Sequence, residues 1–113
     1  MKYVSLPLYT DSDYQYEVSL EGNYYTLRLI YNEREEGWFF EFRDGENSML
    51  VAGERLVPLY PVNLYYNIPE LTGFLWLEPI GESVNETVSN PFELSQYYRL
   101  YYIRFEEEDL LGT

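Results

Sequence analysis

The sequence contains no cysteine and no histidine, and Lys2 is its single lysine. The first absence excludes disulfides, thiolate metal sites and cysteine nucleophiles, and the second excludes imidazole bases and ligands. A cysteine-free chain also suits a reducing compartment. Pairs of carboxylates are therefore the catalytic device that this composition leaves open.

Acidic residues lie close together in the sequence as Glu35-Glu36, as Glu17 with Glu21, and as the run 106–109. None of them follows a strand beside an apolar pocket that would raise a carboxyl pKa, so they are interpreted as solvated side chains. The chain also lacks a calcium loop, a phosphate-binding glycine motif, a nucleophile elbow and zinc-ligand spacing. The sequence therefore predicts a protein that is not an enzyme and that uses no metal or cofactor.

Basic residues are scarce as a class: 7 stand against 20 acidic ones, which gives a formal net charge of −13. Such a chain repels phosphate backbones and anionic lipid surfaces, so we expect neither direct nucleic-acid binding nor membrane binding. Disorder is not expected, because 46% of the residues are hydrophobic and 19% are aromatic. No run approaches the roughly 20 apolar residues of a membrane span, and the first residues lack the pattern of a signal peptide.

Alternation with a period of two residues dominates the sequence and predicts half-buried strands. Three runs, at 14–20, 24–32 and 38–43, form a predicted meander, joined by the turn Glu21-Gly22-Asn23 and the polar connection 32–37 and followed by a turn at 44–47. Weaker strand patterns follow at 48–51, 55–58, 73–78 and 96–105, with Gly53 as a break and one helical turn at 91–95. We expect a single all-β domain over 1–113, a small antiparallel β-barrel or sandwich of six to seven strands. Its core spans about 14–105, and 106–113 form an acidic tail.

Aromatic residues are abundant, with 14 tyrosines and two tryptophans. Tyrosine and tryptophan are frequent in protein interfaces, and they also line sugar-binding surfaces. The run 97–105 is apolar on both faces, which fits a central strand or a strand with one face docked on a neighbouring subunit. We expect partner contacts mainly at 59–66. The predicted interface comprises Tyr60, Leu64, Tyr65, Tyr66, Tyr98 and Tyr102.

Several motifs occur in a fixed order: Leu20-Glu21-Gly22, Tyr25-x-Leu27-x-Leu29-x-Tyr31-Asn32-x-Arg34, Trp38-x-Phe40, Gly53-x-Arg55-Leu56-Val57-Pro58 and Gly73-x-Leu75. On these residues the chain resembles the baseplate plug family of contractile-tailed phages, the cyanophage type, over about 14–105. The most specific stretch runs from Tyr31 to Phe40. Within it Asn32, Arg34 and Trp38 flank one connection, and we expect the Asn and Arg side chains to fix that turn through bonds to backbone.

The resemblance implies a structural virion protein in the tail baseplate, assembled in the cytoplasm of the bacterial host. It implies a protein that closes the tail tube near the hub and spike, and that contacts hub, tube and spike proteins, itself a symmetric homo-oligomer. It brings no catalytic residues with it. The alternative is a small β-barrel ligand-binding module with an aromatic groove for a sugar or a peptide.

Overall fold

The computed structural model describes residues 2–64, 67–80 and 91–104. Along the chain it contains β1 (Lys2–Leu6), β2 (Asp13–Leu20), β3 (Asn23–Asn32), β4 (Gly37–Asp44), β5 (Met49–Leu56), β6 (Val62–Asn63), β7 (Phe74–Pro79), α1 (Pro91–Tyr97) and β8 (Tyr98–Arg104). Two antiparallel sheets result: the meander sheet, in the order β2-β3-β4-β5, and the terminal sheet, in the order β1-β8-β7-β6. The sheets are open and face each other, so the fold is a sandwich and the all-β prediction is confirmed.

The meander sheet follows the predicted alternation closely. In β3 and β4 the residues at every second position are buried, among them Leu27, Leu29, Phe40 and Phe42. Register places Leu27 opposite Phe42 and Leu29 opposite Phe40, so large apolar side chains meet on the inner face. The predicted meander is confirmed for its first three strands.

The β2–β3 turn is shorter than predicted. Asn23 already belongs to β3 and pairs with Leu20, which leaves Glu21 and Gly22 as a two-residue loop. Both have positive φ, 50° and 86°, as a type I′ turn requires. Glycine adopts this backbone readily and glutamate rarely does. Glu21 therefore has a conformation that the sequence alone does not predict.

One continuous strand, β5, replaces the two short strands that were predicted on either side of Gly53. Phe40 pairs with Glu54 and Phe42 with Val51, so the ladder slips by one residue between them. Gly53 lies in that irregularity with φ of 61°. A positive-φ glycine in a strand is typical of a β-bulge, which bends a strand without ending it. Reading Gly53 as a break was therefore wrong.

The terminal sheet joins the two ends of the described chain. β1 lies beyond the predicted core boundary at 14, yet it pairs with β8 along its whole length, from Lys2 opposite Arg104 to Leu6 opposite Leu100. Leu6 is 3% exposed and contributes to the core. The five residues of β1 span only two and a half periods of alternation, only Leu6 among them is buried, and their partner is distant in sequence, which is why the strand was not predicted.

The core lies between the two sheets and continues under the segment 59–72. There β6 adds two residues to the terminal sheet, and the backbone amide of Ile68 donates to the Leu64 carbonyl at 2.8 Å. Ile68 and Leu71 are fully buried. The predicted acidic tail 106–113 lies outside the described residues. No described helix has the length and hydropathy needed to span a membrane.

Candidate assembly surface

The outer face of the terminal sheet is aromatic. On β7 it presents Phe74, Trp76 and Glu78, and these lie directly opposite Ile103, Tyr101 and Arg99 of β8. β1 adds Tyr3 beside Ile103, with 63% of its surface exposed. We call these seven residues the aromatic face. They occupy the alternate positions to the buried Leu75, Leu77, Leu100 and Tyr102, so they point away from the core.

The rings of the aromatic face support one another. Tyr3 and Tyr101 meet edge to face with centroids 5.5 Å apart, and Phe74 meets Trp76 in the same way at 6.3 Å. The indole Nε1 of Trp76 donates a hydrogen bond to the Glu78 carboxylate. These contacts fix the rings before any partner arrives, which lowers the entropy cost of burying them.

The depression on the aromatic face is shallow. Its volume is about 210 Å³, and it is lined by Tyr3, Trp76, Glu78, Tyr101 and Ile103. Small-molecule sites typically enclose about 300–1,000 Å³ and bury most of their ligand. A surface of this size and shape suits contact with another protein surface better than it suits a bound metabolite.

Charge is unevenly divided between the two sheets. The strands of the terminal sheet contain three basic residues, Lys2, Arg99 and Arg104, and one acidic residue, Glu78. The strands of the meander sheet contain five acidic and three basic residues. In a chain of net charge −13, the sheet that carries the aromatic face is thus locally the less negative one.

The outer face of the meander sheet carries a charged cluster that is internally paired. Arg28 donates to both Asp13 carboxylate oxygens, at 2.9 and 2.7 Å, and to Glu41 at 2.9 Å. The hydrogen bond from Arg28 holds the pKa of Asp13 below its ordinary value. Since these cross-strand partners already bind one another, this charged cluster has few hydrogen-bonding groups left for a protein partner.

The predicted interface residues separate into three groups. Tyr60 is 66% exposed and remains a predicted contact. Leu64, Tyr98 and Tyr102 are 1–2% exposed and belong to the core, so their placement in an interface has to be revised. Tyr65 and Tyr66 lie outside the described residues. Tyr98 and Tyr102 share the inner face of β8, and the outer face of that strand presents Tyr101 and Ile103 instead.

Tyr102 links the two sheets through Glu21. Its hydroxyl donates to Glu21 Oε2 at 2.5 Å and accepts from the Gly73 amide at 2.8 Å. Glu21 also accepts from the Thr72 amide and hydroxyl, at 2.7 and 2.8 Å. The β2–β3 hairpin is in this way fastened to the terminal sheet, and we call these four residues the inter-sheet clasp.

A comparison with known proteins identifies the family. The family model described as cyanophage baseplate Pam3 plug gp18 matches residues 1–106 of the 113. The chain belongs to the cyanophage baseplate plug family. Membership assigns it a structural role in the baseplate of a phage tail, and it confirms the resemblance on which the motifs converged. No individual curated protein matches the chain.

The most specific motif of the plug sequence flanks the β3–β4 turn. Asn32 Oδ1 accepts a hydrogen bond from the Glu35 amide at 3.1 Å, which is the kind of contact expected of it. The guanidinium that reaches this turn belongs to Arg55, whose Nη2 donates to the Glu35 and Glu36 carbonyls at 3.3 Å each. Arg34 is exposed.

Trp38, the third motif residue of that turn, is a core residue. It is fully buried, with Tyr31 and Tyr14 edge to face at centroid distances of 5.6 and 6.2 Å. Its Nε1 is buried and has no hydrogen-bond partner among the residues that the structure describes. The role of Trp38 is therefore to fill the space between the sheets and not to fix the turn by hydrogen bonding.

The aromatic face was only partly visible in the plug sequence. The apolar character of both sides of 97–105 indicated a strand with two packed faces, but it did not reveal which face was the core. Trp76 and Phe74 lay in a predicted strand that was also apolar on both sides. Among the described residues no cluster of acidic side chains has the arrangement of a metal site.

Proposed function

We propose that this chain closes the tail tube at the centre of the baseplate, next to the hub and spike, and that it is held there by contacts with hub, tube and spike proteins. The aromatic face carries the proposal. It combines fixed aromatic rings with a single carboxylate and a single guanidinium, and aromatic residues with arginine dominate the binding energy of protein interfaces.

The charge of the chain supports a position in the path of DNA. A closure made of a strongly basic protein would bind the phosphate backbone and hold back the genome. With a net charge of −13, this chain repels DNA instead. The acidic residues are concentrated outside the terminal sheet, so the aromatic face can dock on a protein neighbour while the rest of the surface remains anionic.

The proposed role is passive and needs no catalysis or cofactor. The chain is assembled into the virion in the host cytoplasm, as a symmetric oligomer, with Tyr60 as a second contact to a neighbour. The alternative role, an aromatic groove for a sugar or a peptide, has weaker support because the depression on the aromatic face is shallow and about 210 Å³.

Reconstitution of tails with substituted chains tests the proposal. Tyr101→Ser removes a ring from the aromatic face, and Tyr24→Ser is the matched control because Tyr24 is 63% exposed on β3 of the other sheet. Both variants should fold, since neither residue belongs to the core. We expect Tyr101→Ser to reduce incorporation into purified tails, measured by quantitative mass spectrometry, by at least about tenfold, because truncating an interface anchor costs about 2 kcal/mol or more.

Equal incorporation of the two variants would contradict the assigned surface. Absence of the wild-type chain from purified virions would contradict the role in the baseplate altogether. Binding of an oligosaccharide or a short peptide to the isolated wild-type chain, lost in Tyr101→Ser, would instead support the ligand-binding alternative.

A further inference from the structure

On the aromatic face, the residues of β7 match in chemistry the residues of β8 that lie opposite them. The order β1-β8-β7-β6 puts the midline of the sheet between β8 and β7. Three pairs lie across this midline in register: Phe74 with Ile103, Trp76 with Tyr101, and Glu78 with Arg99. Two of these pairs therefore join apolar or aromatic side chains, and the third joins side chains of opposite charge.

We propose that two copies of this chain pack against each other through the aromatic face, about a two-fold axis parallel to the strands and above this midline. Such an axis places β7 of each copy on β8 of the other. Glu78 then meets Arg99 of the second copy, and Trp76 meets Tyr101, and the symmetry makes each contact twice. The inference rests on the proposed role of the aromatic face as an assembly surface and names a second copy as its occupant, so the contacts with hub, tube and spike proteins fall to the remaining surface of the pair, Tyr60 included.

The twist of the sheets fits this arrangement. Face-to-face sheets cross at about 30°, so their strands diverge away from the axis and contact is concentrated at the centre. The centre here is β7 and β8, where the large rings and the charged pair lie. Tyr3 on β1 falls at the rim, in agreement with its high exposure of 63% in one copy.

Electrostatics favours this face over others for self-association. Two copies of charge −13 repel each other, and the repulsion is smallest where they approach through their least negative surfaces. The terminal sheet has three basic residues and one acidic residue in its strands. A different partner would need complementary groups of its own, whereas this face already supplies both members of each ion pair.

Charge reversal with purified chains tests the arrangement, with mass measured by sedimentation equilibrium. In a dimer of Glu78→Arg chains, position 78 of one copy and position 99 of the other are both basic. In a dimer of Arg99→Glu chains, the same two positions are both acidic. Each single variant should weaken dimerisation by about a hundredfold, because like charges brought together in an interface cost several kcal/mol and the axis repeats the contact. An equimolar mixture of the two variants should recover the dimer.

Recovery in the mixture separates a contact between copies from one within a chain. Glu78 and Arg99 are also cross-strand neighbours, so a double variant in one chain would restore both kinds of contact. Mixing two different single variants restores only the contact between copies. Glu17→Arg is the control for Glu78→Arg, because Glu17 is exposed on β2 and its reversal changes the net charge by the same amount; it should dimerise at least as well as the wild type.

Raising the salt concentration should strengthen the wild-type dimer, since the net repulsion between the copies is screened. A wild-type chain that stays monomeric at all concentrations and salts would overturn the inference. A monomer that nonetheless binds tail proteins through Tyr101 would overturn it too, while leaving the proposed function intact. A dimer whose chain is absent from virions would have the opposite meaning: the two-fold contact would stand and the proposed function would fail.

Discussion

The hydroxyl of Tyr102 and the carboxylate of Glu21 are joined at 2.5 Å, although the residues belong to different sheets and lie 81 positions apart. Glu21 is located in a turn with φ of 50°, and Tyr102 is buried in β8. The bond fastens the end of one sheet to the middle of the other. It gives Glu21 a structural role that its acidic character alone does not suggest.

Replacing Glu21 by Gln should destabilise the fold at neutral pH by about 1–3 kcal/mol, because hydrogen bonds to a charged group are lost. Burial raises the pKa of the Glu21 carboxyl, but the bonds from Tyr102 and Thr72 together outweigh burial and leave this pKa below its ordinary value of 4.5. A depressed pKa in the folded state means that the carboxylate stabilises the fold above pH 4.5, and that this stabilisation is lost as the pH falls through the folded pKa.

Urea unfolding of the wild type and Glu21→Gln at several pH values measures this effect. The difference in unfolding free energy between the two chains should be full at pH 7 and should shrink below pH 4.5. A difference that is the same at pH 7 and pH 3 would show that the carboxylate charge does not matter to the clasp.

A double-mutant cycle with Tyr102→Phe isolates the bond itself. Tyr102→Phe removes a buried hydroxyl from two partners, Glu21 and the Gly73 amide, and should cost about 1–3 kcal/mol. The double variant should lose less unfolding free energy than the two single variants lose in sum, and the difference, the coupling energy, should be about 0.5–3 kcal/mol. Simple additivity, measured by urea unfolding at pH 7, would contradict a direct interaction.

Gly73 should not tolerate a side chain. A Cβ at this position would lie 2.4 Å from the Ile103 carbonyl oxygen and 2.7 Å from Cζ of Tyr102, and a backbone atom cannot move aside cheaply. Gly73→Ala should therefore lower the unfolding free energy by about 1–3 kcal/mol. Gly45→Ala is the control, because nothing lies within 4 Å of its Cβ position. Equal thermal stability of the two variants would show that the clasp has room to adjust.

The β3–β4 turn should depend on Arg55 and not on Arg34. Arg55 donates to two carbonyls of this turn and lies over the Phe39 ring, 5.6 Å from its centroid. Arg55→Met should cost about 0.5–2 kcal/mol in thermal unfolding through lost hydrogen bonds and a lost cation–π contact. Arg34→Met should change stability by less than about 0.5 kcal/mol, as is usual for exposed side chains. The reverse order would restore the turn-fixing role first expected of Arg34.

Local patterns in the sequence were enough to predict the first three strands of the meander sheet. In β2, β3 and β4 a buried face alternates with a polar one, and short turns join neighbours, so pairing follows from proximity. The terminal sheet is different: β1, β7 and β8 pair across long separations, and β7 and β8 are apolar on both sides. Periodicity cannot decide which side of such a strand is the core. Tyr98 and Tyr102 were for this reason placed at the surface, and Tyr101 was not.

The inter-sheet clasp and the contact of Arg55 with the β3–β4 turn could not be predicted from local sequence patterns either. Nothing near Glu21 in the sequence indicates a partner in β8, because the clasp forms only when the sheets are stacked. Arg55 reaches the turn at 35–36 from a neighbouring strand, 19 and 20 positions away. Sequence motifs marked the right places, Asn32 and Gly73 among them, but the tertiary arrangement determines what each residue does there.

The pairing of β1 with β8 has a consequence for the order of folding. The meander sheet is made of consecutive strands and can close early, since each turn brings its neighbours together at little entropy cost. β1 precedes all of these strands and still has no partner until β8 has been synthesised. In the folded chain the terminal sheet covers the inner face of the meander, where Leu27 and Phe40 are fully buried, so a meander without that sheet lacks this cover. Completion of the terminal sheet, with β1 and β8 joined, is therefore the step that covers the apolar inner face of the meander.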